Sequence, residues 1–271
     1  MVNKIQYSGK NKIAILYAIH IKKYITYAIP IIIFLLIWEI IADFKLINPL
    51  LFPPPTSVFN ALKEWASTGE LWRDVKASYW RMLFGFIIGG CFGIVFGMLT
   101  GRIKIFNQCL SPIIQLFRPL PPVAIIPLVI VWLGIGNIAK IFSISFAVFF
   151  PVWLNTHLGS SSVPSIYIWS AKLLRKSKIK NLFRVVLPAA LPFIIAGLRT
   201  SIAIAFIMVY VSEIAGASQG IGYQISISHL AYRIDKMMAA LFVLALAGVV
   251  ADMVFTKTMK IIFPWIKTNH E

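Results

Sequence analysis

Acidic residues are scarce in this chain: nine Asp and Glu stand against 26 Lys and Arg in 271 residues, and charged residues together make up 13%. Soluble globular domains carry roughly 25% charged residues, so an ordinary soluble domain is excluded. The phosphate loop G-x-x-x-x-G-K-[ST] is absent, so this chain holds no Walker-type ATP site. H-E-x-x-H, C-x-x-C and G-x-S-x-G are absent as well. The two cysteines, Cys91 and Cys109, lie in or beside apolar runs without metal spacing and read as small buried residues. His20, His157, His229 and His270 are scattered, and none has a second ligand at helical spacing. The expectation is a chain that binds no metal or cofactor and is not an enzyme.

What is abundant is apolar sequence. Hydrophobic residues make up 59% and the mean hydropathy is +0.83. The net charge of +17 does not mark a nucleic-acid footprint, because the basic residues fall in the gaps between apolar runs. Lys and Arg near span ends resist translocation, and this arrangement is the one they impose.

Six runs approach the roughly 20 residues that cross a bilayer. The organisation expected is a cytoplasmic tail (1–23), a first transmembrane helix (24–43) and an external segment with a short helix (44–80). A five-helix transmembrane core (81–258) carries a cytoplasmic loop (159–188), and a cytoplasmic tail (259–271) ends the chain. The first run has no A-x-A-type site after it and reads as a retained helix rather than a signal peptide. The short external helix, Thr56 to Ser67, opens on a Thr/Ser pair, and the outer segment after residue 211 reads as a glycine-loosened loop. Six spans place both termini inside. The two outer segments then hold Asp43, Glu64, Glu70, Asp74, Glu213 and Asp235, six of the nine acids.

Several patterns inside the spans carry physical meaning. Gly85, Gly89, Gly93, Gly97 and Gly101 recur every fourth residue, which in lipid lets a neighbouring helix backbone approach closely. The stretch RPLPP, with Arg118, Pro119, Pro121 and Pro122, removes helix hydrogen bonds and should break the third span. Non-helical backbone at membrane depth belongs beside protein or a water-filled cavity, so these residues are candidates for a solute path favouring a small anion. Gly134-x-Gly136-x-x-Ala139 has no βαβ context and reads as a turn, not a dinucleotide fingerprint. Arg199, inside the fifth span, needs a partner or an interface to snorkel to; Asp252 is the candidate for a buried ion pair.

The polar interruption Ser160 to Pro188 is basic and acid-free, with Lys172, Arg175, Lys176, Lys178, Lys180 and Arg184. Apolar residues including Trp169 and Leu174 could line one side of a short helix. Pattern alone serves a helix on anionic lipid and a helix docked on a partner equally well.

From about Ile37 onward the sequence resembles the permease subunits of bacterial ABC importers, in the group handling nitrate, sulfonates, taurine and bicarbonate. The resemblance rests on LLFPPPTSVFNAL, GELWRDVKASYWRMLFGFIIGG, LSPIIQLFRPLPPVAIIPLVIVWLGIG, FFPVWLNT, LFRVVLPAALPFIIAGLR and SEIAGASQGIGY. It implies an all-α membrane protein with the six-helix type I importer fold, multi-pass in a bacterial inner membrane. It also implies a cytoplasmic ATPase subunit that uses ATP and Mg, an external solute-binding protein and a second permease copy, with lipid around them and no nucleic acid. In that family the loop before the fifth span carries E-A-A-x-x-x-G and docks on the ATPase. The motif falls here on Trp169, Ser170 and Ala171, with Arg175 at the Gly position, so only the second Ala is kept. Val163, Trp169, Ser170, Ala171, Leu174 and Arg175 are the implied coupling residues. The alternative, an ion-coupled secondary transporter without an ATPase, should carry intramembrane acids and an internal repeat. Only Glu39 and Asp252 offer such acids, near span ends, and no repeat is visible.

Overall fold

A computed structural model of the chain describes residues 29–44, 48, 50–164, 166–167, 169–170 and 182–265. The described residues are helical almost throughout. We number the helices α1 (29–43), α2 (Pro55–Ser67), α3 (Glu70–Arg102), α4 (Lys104–Phe117), α5 (Ile126–Leu133), α6 (Asn137–Ser161), α7 (Leu187–Ile214), α8 (Ile221–Leu230) and α9 (Ile234–Ile262). Four of them (α3, α6, α7 with the π-helical turn before it, and α9) are long and apolar enough to cross a membrane.

The centre of the fold is the α3–α6 contact. A Cβ on Gly85 would come within 2.5 Å of Ile144, on Gly93 within 2.8 Å of Val152, and on Gly97 within 2.5 Å of Thr156. On Gly89 and Gly101 it would overlap the Ser145 carbonyl oxygen and the Ser160 hydroxyl. All five glycines therefore face α6, and the partner residues advance with them from 144 to 160. The two helices run parallel. Their Arg102 and Ser161 ends are latched by Trp153 Nε1, which donates to Thr100 Oγ1 (3.1 Å), and by Arg102, which donates to the Ser160 carbonyl (3.3 Å).

Parallel neighbours force the chain between them to return across the bundle. That return is α4 and α5 with the 3-10 turn Pro122–Ile125, two pieces bent by 88° around Arg118 to Pro121. The bent pair returns the chain to the start of α6; counted as one span, it brings the candidate crossings among the described residues to five. The Gly134 to Gly136 stretch forms the turn into α6, with Gly134 at φ +75°.

Helix α7 returns antiparallel to α6, with Gly197 packed on Asn155 and Pro151, and Gly159 on Phe193. Together they bury the main core: Met82, Ile144, Val148, Val152, Ile202, Phe206 and Val209 among others. Helix α9 covers α7 on the outside.

Several expectations need correction. Helix α1 is described over fifteen residues, about 21 Å of rise; residues 24–28 of the expected first span lie outside the described residues. Glu39 accepts the Thr56 amide (3.2 Å) and hydroxyl (2.7 Å). Thr56 consequently does not cap α2, which instead begins with Pro55 in its first turn, a position where the missing amide costs nothing. Trp38 packs beside Phe52 and Phe242 and donates to the Pro53 carbonyl (3.1 Å), fixing α1 on α2 and α9. Helix α3 starts at Glu70, a dozen residues before the apolar run. The segment after residue 211 contains a helix, α8, rather than a loose loop. Cys91 and Cys109 are exposed on the chain, not buried.

Overpacking a tight site forces backbone to move and costs typically 1–3 kcal/mol. Gly89→Ala, whose new Cβ would meet a backbone oxygen, should cost about 2 kcal/mol of stability. Gly248→Ala, whose Cβ would meet only Phe206 at 3.8 Å, should stay within about 0.5 kcal/mol. Thermal unfolding of the purified variants in detergent checks the contrast.

Candidate functional site

The largest polar construction joins the first half of α3 to the far end of α7. Asp74, Ser78 and Arg81 occupy one face of α3 at a spacing of four and three residues, and all three are buried. Glu213, 1% exposed, meets them near the end of α7. Arg81 Nη1 donates to Glu213 Oε1 at 2.6 Å and to the Gln219 carbonyl at 2.8 Å, while Arg81 Nε donates to Asn137 Oδ1 at 2.8 Å. The Ser78 hydroxyl and the Gly222 amide also donate to Glu213, at 2.8 Å each. Asp74 accepts the Gly220 amide (2.9 Å) and the fully buried Trp65 indole (3.2 Å).

Lys140, on the first turn of α6, completes the group by donating to the Gly136 (3.2 Å) and Gly216 (3.1 Å) carbonyls. Two buried acids and two buried bases balance one another. Gly220 is required twice over: its φ is +133°, and a Cβ there would sit 2.5 Å from the Glu213 carboxylate. The glycines of this segment bring backbone onto a charge; they do not loosen a loop. With every group partnered, the network seals and fixes this end of the bundle.

The solute-path candidates sit elsewhere. Arg118, Pro119 and Pro121 are exposed and Pro122 half-buried at the 88° bend. No side chain among the described residues ion-pairs with Arg118.

Arg199 and Asp252 form a two-bonded pair, Nε to Oδ1 at 3.0 Å and Nη2 to Oδ2 at 3.1 Å. The pair is not buried: the side chains are 43% and 37% exposed. It lies on the wall of an open groove of about 610 Å³ between α7 and α9.

The coupling residues divide. Val163 is buried in its own chain against Met98, Val186, Ala190 and Ile194, so it anchors the segment instead of facing outward. Trp169 is 60% exposed, beside the exposed Ile166 and Tyr167, and Ser170 is exposed with its hydroxyl on the Ile166 carbonyl (2.9 Å). Ala171, Leu174 and Arg175 lie outside the described residues.

Residues 89–268 match the family model described as "binding-protein-dependent transport system inner membrane component". A putative aliphatic sulfonates transport permease protein, SsuC of Bacillus subtilis, is 32% identical over 216 residues, covering 80% of this chain and 78% of that protein. The taurine transport system permease protein TauC of Escherichia coli is 31% identical over 238 residues, covering 86% of each. Among solved structures, an inward-facing MetNI methionine ABC transporter chain superposes with a TM-score of 0.57 at 19% identity, over 74% of this chain and 97% of that one. At that identity the likeness speaks for the fold.

Removing one partner of a buried ion pair strands the other charge and costs about 3–5 kcal/mol. Arg81→Ala and Glu213→Ala should each destabilise the protein by that order. The double variant should lose clearly less than the sum, because no charge is left stranded. Additive losses in thermal unfolding would show that the two groups act independently.

Proposed function

The chain belongs to the family of binding-protein-dependent transport system inner membrane components, and on that premise we propose that it is the membrane-spanning subunit of an ATP-driven importer for a small organic anion of the sulfonate or taurine type. The observation that carries this reading is the near one-third identity to sulfonate and taurine permeases across about four-fifths of the chain. The proposed setting is a bacterial plasma membrane. Two copies of the chain pair about a common path, an ATPase sits on the inner side, and an external binding protein delivers the solute.

The fold offers a mechanical basis for such a device. The tightly packed α3–α6–α7 unit moves as one body, and rigid-body rotation about an interface is how packed proteins switch. The segment after α6 is the proposed handle. Val163 roots it in the body, while Ile166, Tyr167 and Trp169 present apolar surface to a partner. Aromatic side chains of this kind commonly anchor interfaces. Arg175, where the family motif has Gly, and the neighbouring Ala171 and Leu174 extend the proposed docking surface; Lys and Arg nearby keep it inside.

Specificity for an anion is proposed to begin at the bend. A helix restarting after Pro122 aims amide N–H groups with a partial positive charge toward the break, and Arg118 adds a full charge beside them. A solute carrying one negative charge gains at this point without meeting a closed, tightly binding cage.

Cells depending on this transporter should take up taurine or ethanesulfonate in an ATP-dependent manner. Arg118→Ala should lower uptake about tenfold, the order expected for one lost charged hydrogen bond, while the ATPase still co-purifies. Arg118→Lys should retain part of the rate, since charge rather than bidentate geometry is required. Unaltered uptake by the alanine variant at low substrate removes Arg118 from the path.

A further inference from the structure

The Arg199–Asp252 pair lies well inside two helices long and apolar enough to cross a membrane. Arg199 lies about 18 Å from the start of α7 and about 22 Å from its end; Asp252 lies about 15 Å before the end of α9. Both are well inside crossing helices, yet more than a third of each side chain is open. Charged groups at such depth face a bundle interior or a water-filled cavity.

Two openings meet at Arg199. On one side is the groove of about 610 Å³, lined by Ala203, Phe206, Tyr210, Ala245 and Gly248 among others. On the other is a small cleft of about 30 Å³, room for a water or two, bordered by Thr256, Lys260 and Arg199. Thr256 Oγ1 is buried without a hydrogen-bond partner among the described residues. The small residues Ala203 and Gly248 line the groove beside the guanidinium. A cation, an unused hydroxyl and a second cation thus follow one another toward the Ile262 end of α9.

We propose that Arg199 is an anion-binding residue of an aqueous route between α7 and α9, with Asp252 as an internal counter-ion that an entering sulfonate or carboxylate displaces. The inference rests on the transport reading above and names a second station of the same path. The planar guanidinium fork matches two oxygens of a sulfonate as well as it matches the Asp252 carboxylate. Exchange between the two keeps Arg199 neutralised at every stage.

The test uses Ala203→Cys in a full-length Cys91→Ser/Cys109→Ser background, reacted with a membrane-impermeant methanethiosulfonate reagent in proteoliposomes. The cysteine should react, and ethanesulfonate should slow the reaction several-fold. Arg199→Gln should abolish that protection, and Asp252→Asn should produce it at a several-fold lower ethanesulfonate concentration. In cells, Arg199→Gln and the Arg199→Gln/Asp252→Asn double variant should both lose more than tenfold in ethanesulfonate uptake. An unreactive Ala203→Cys, or protection that survives Arg199→Gln, overturns the proposal. So does recovery of uptake in the double variant, which would make the pair a structural one. Protection that depends on Arg199 in a protein whose cells take up no ethanesulfonate upholds the site and overturns the transport reading instead.

Discussion

A charge inside the hydrocarbon of a bilayer has no water to solvate it, and the placement of charge in this protein answers to that constraint. Where charges are enclosed, each has its partners. Arg81, Glu213, Asp74 and Lys140 share protein hydrogen bonds at one end of the bundle and leave no group open. Where a charged pair is left half open, as at Arg199 and Asp252, the surroundings have to supply water or another polar surface. The same rule therefore separates a closing device from an open one.

Between these two sites lies a rigid body. Glycine contacts hold α3 parallel to α6, and α7 returns along α6 with small residues at its own contacts. Because α3 and α6 run the same way, the proline-broken segment between them is compelled to cross. A bent segment that exposes Arg118, a closed network at one end, and a segment rooted by Val163 at the other are the parts on which the proposed transport reading rests. Close-packed helices link the rooted segment to the bend and to the α7–α9 groove.

Much of this was legible in the chain. The four-residue glycine repeat keeps its residues on one helix face, so its use as a packing stripe follows from geometry alone. Proline acts locally, so the RPLPP break could be placed to within a few residues. Arg199 and Asp252 announced themselves by type and depth, although their openness did not. The Arg81–Glu213 network was missed because its partners are 132 residues apart and because SEIAGASQG reads as a polar loop. One signal was present: Asp74, Ser78 and Arg81 repeat at i, i+4 and i+7, a polar stripe on a helix that also carries apolar residues. Seeing it required extending α3 back past its apolar run to Glu70. The Val163 anchor was hidden for a related reason, since its burial depends on α7 residues more than twenty positions later.

The central claim is that charge sorts the ends of this molecule, with the Arg81–Glu213 end outside and the basic segment between α6 and α7 inside. Single cysteines at Ser67 and Ser177, in a background without Cys91 and Cys109, measure this directly when labelled with an impermeant reagent in intact cells and in inverted vesicles. Labelling from opposite sides, Ser67→Cys from the outside and Ser177→Cys from the inside, is the result the account predicts. Labelling of both from the same side contradicts it.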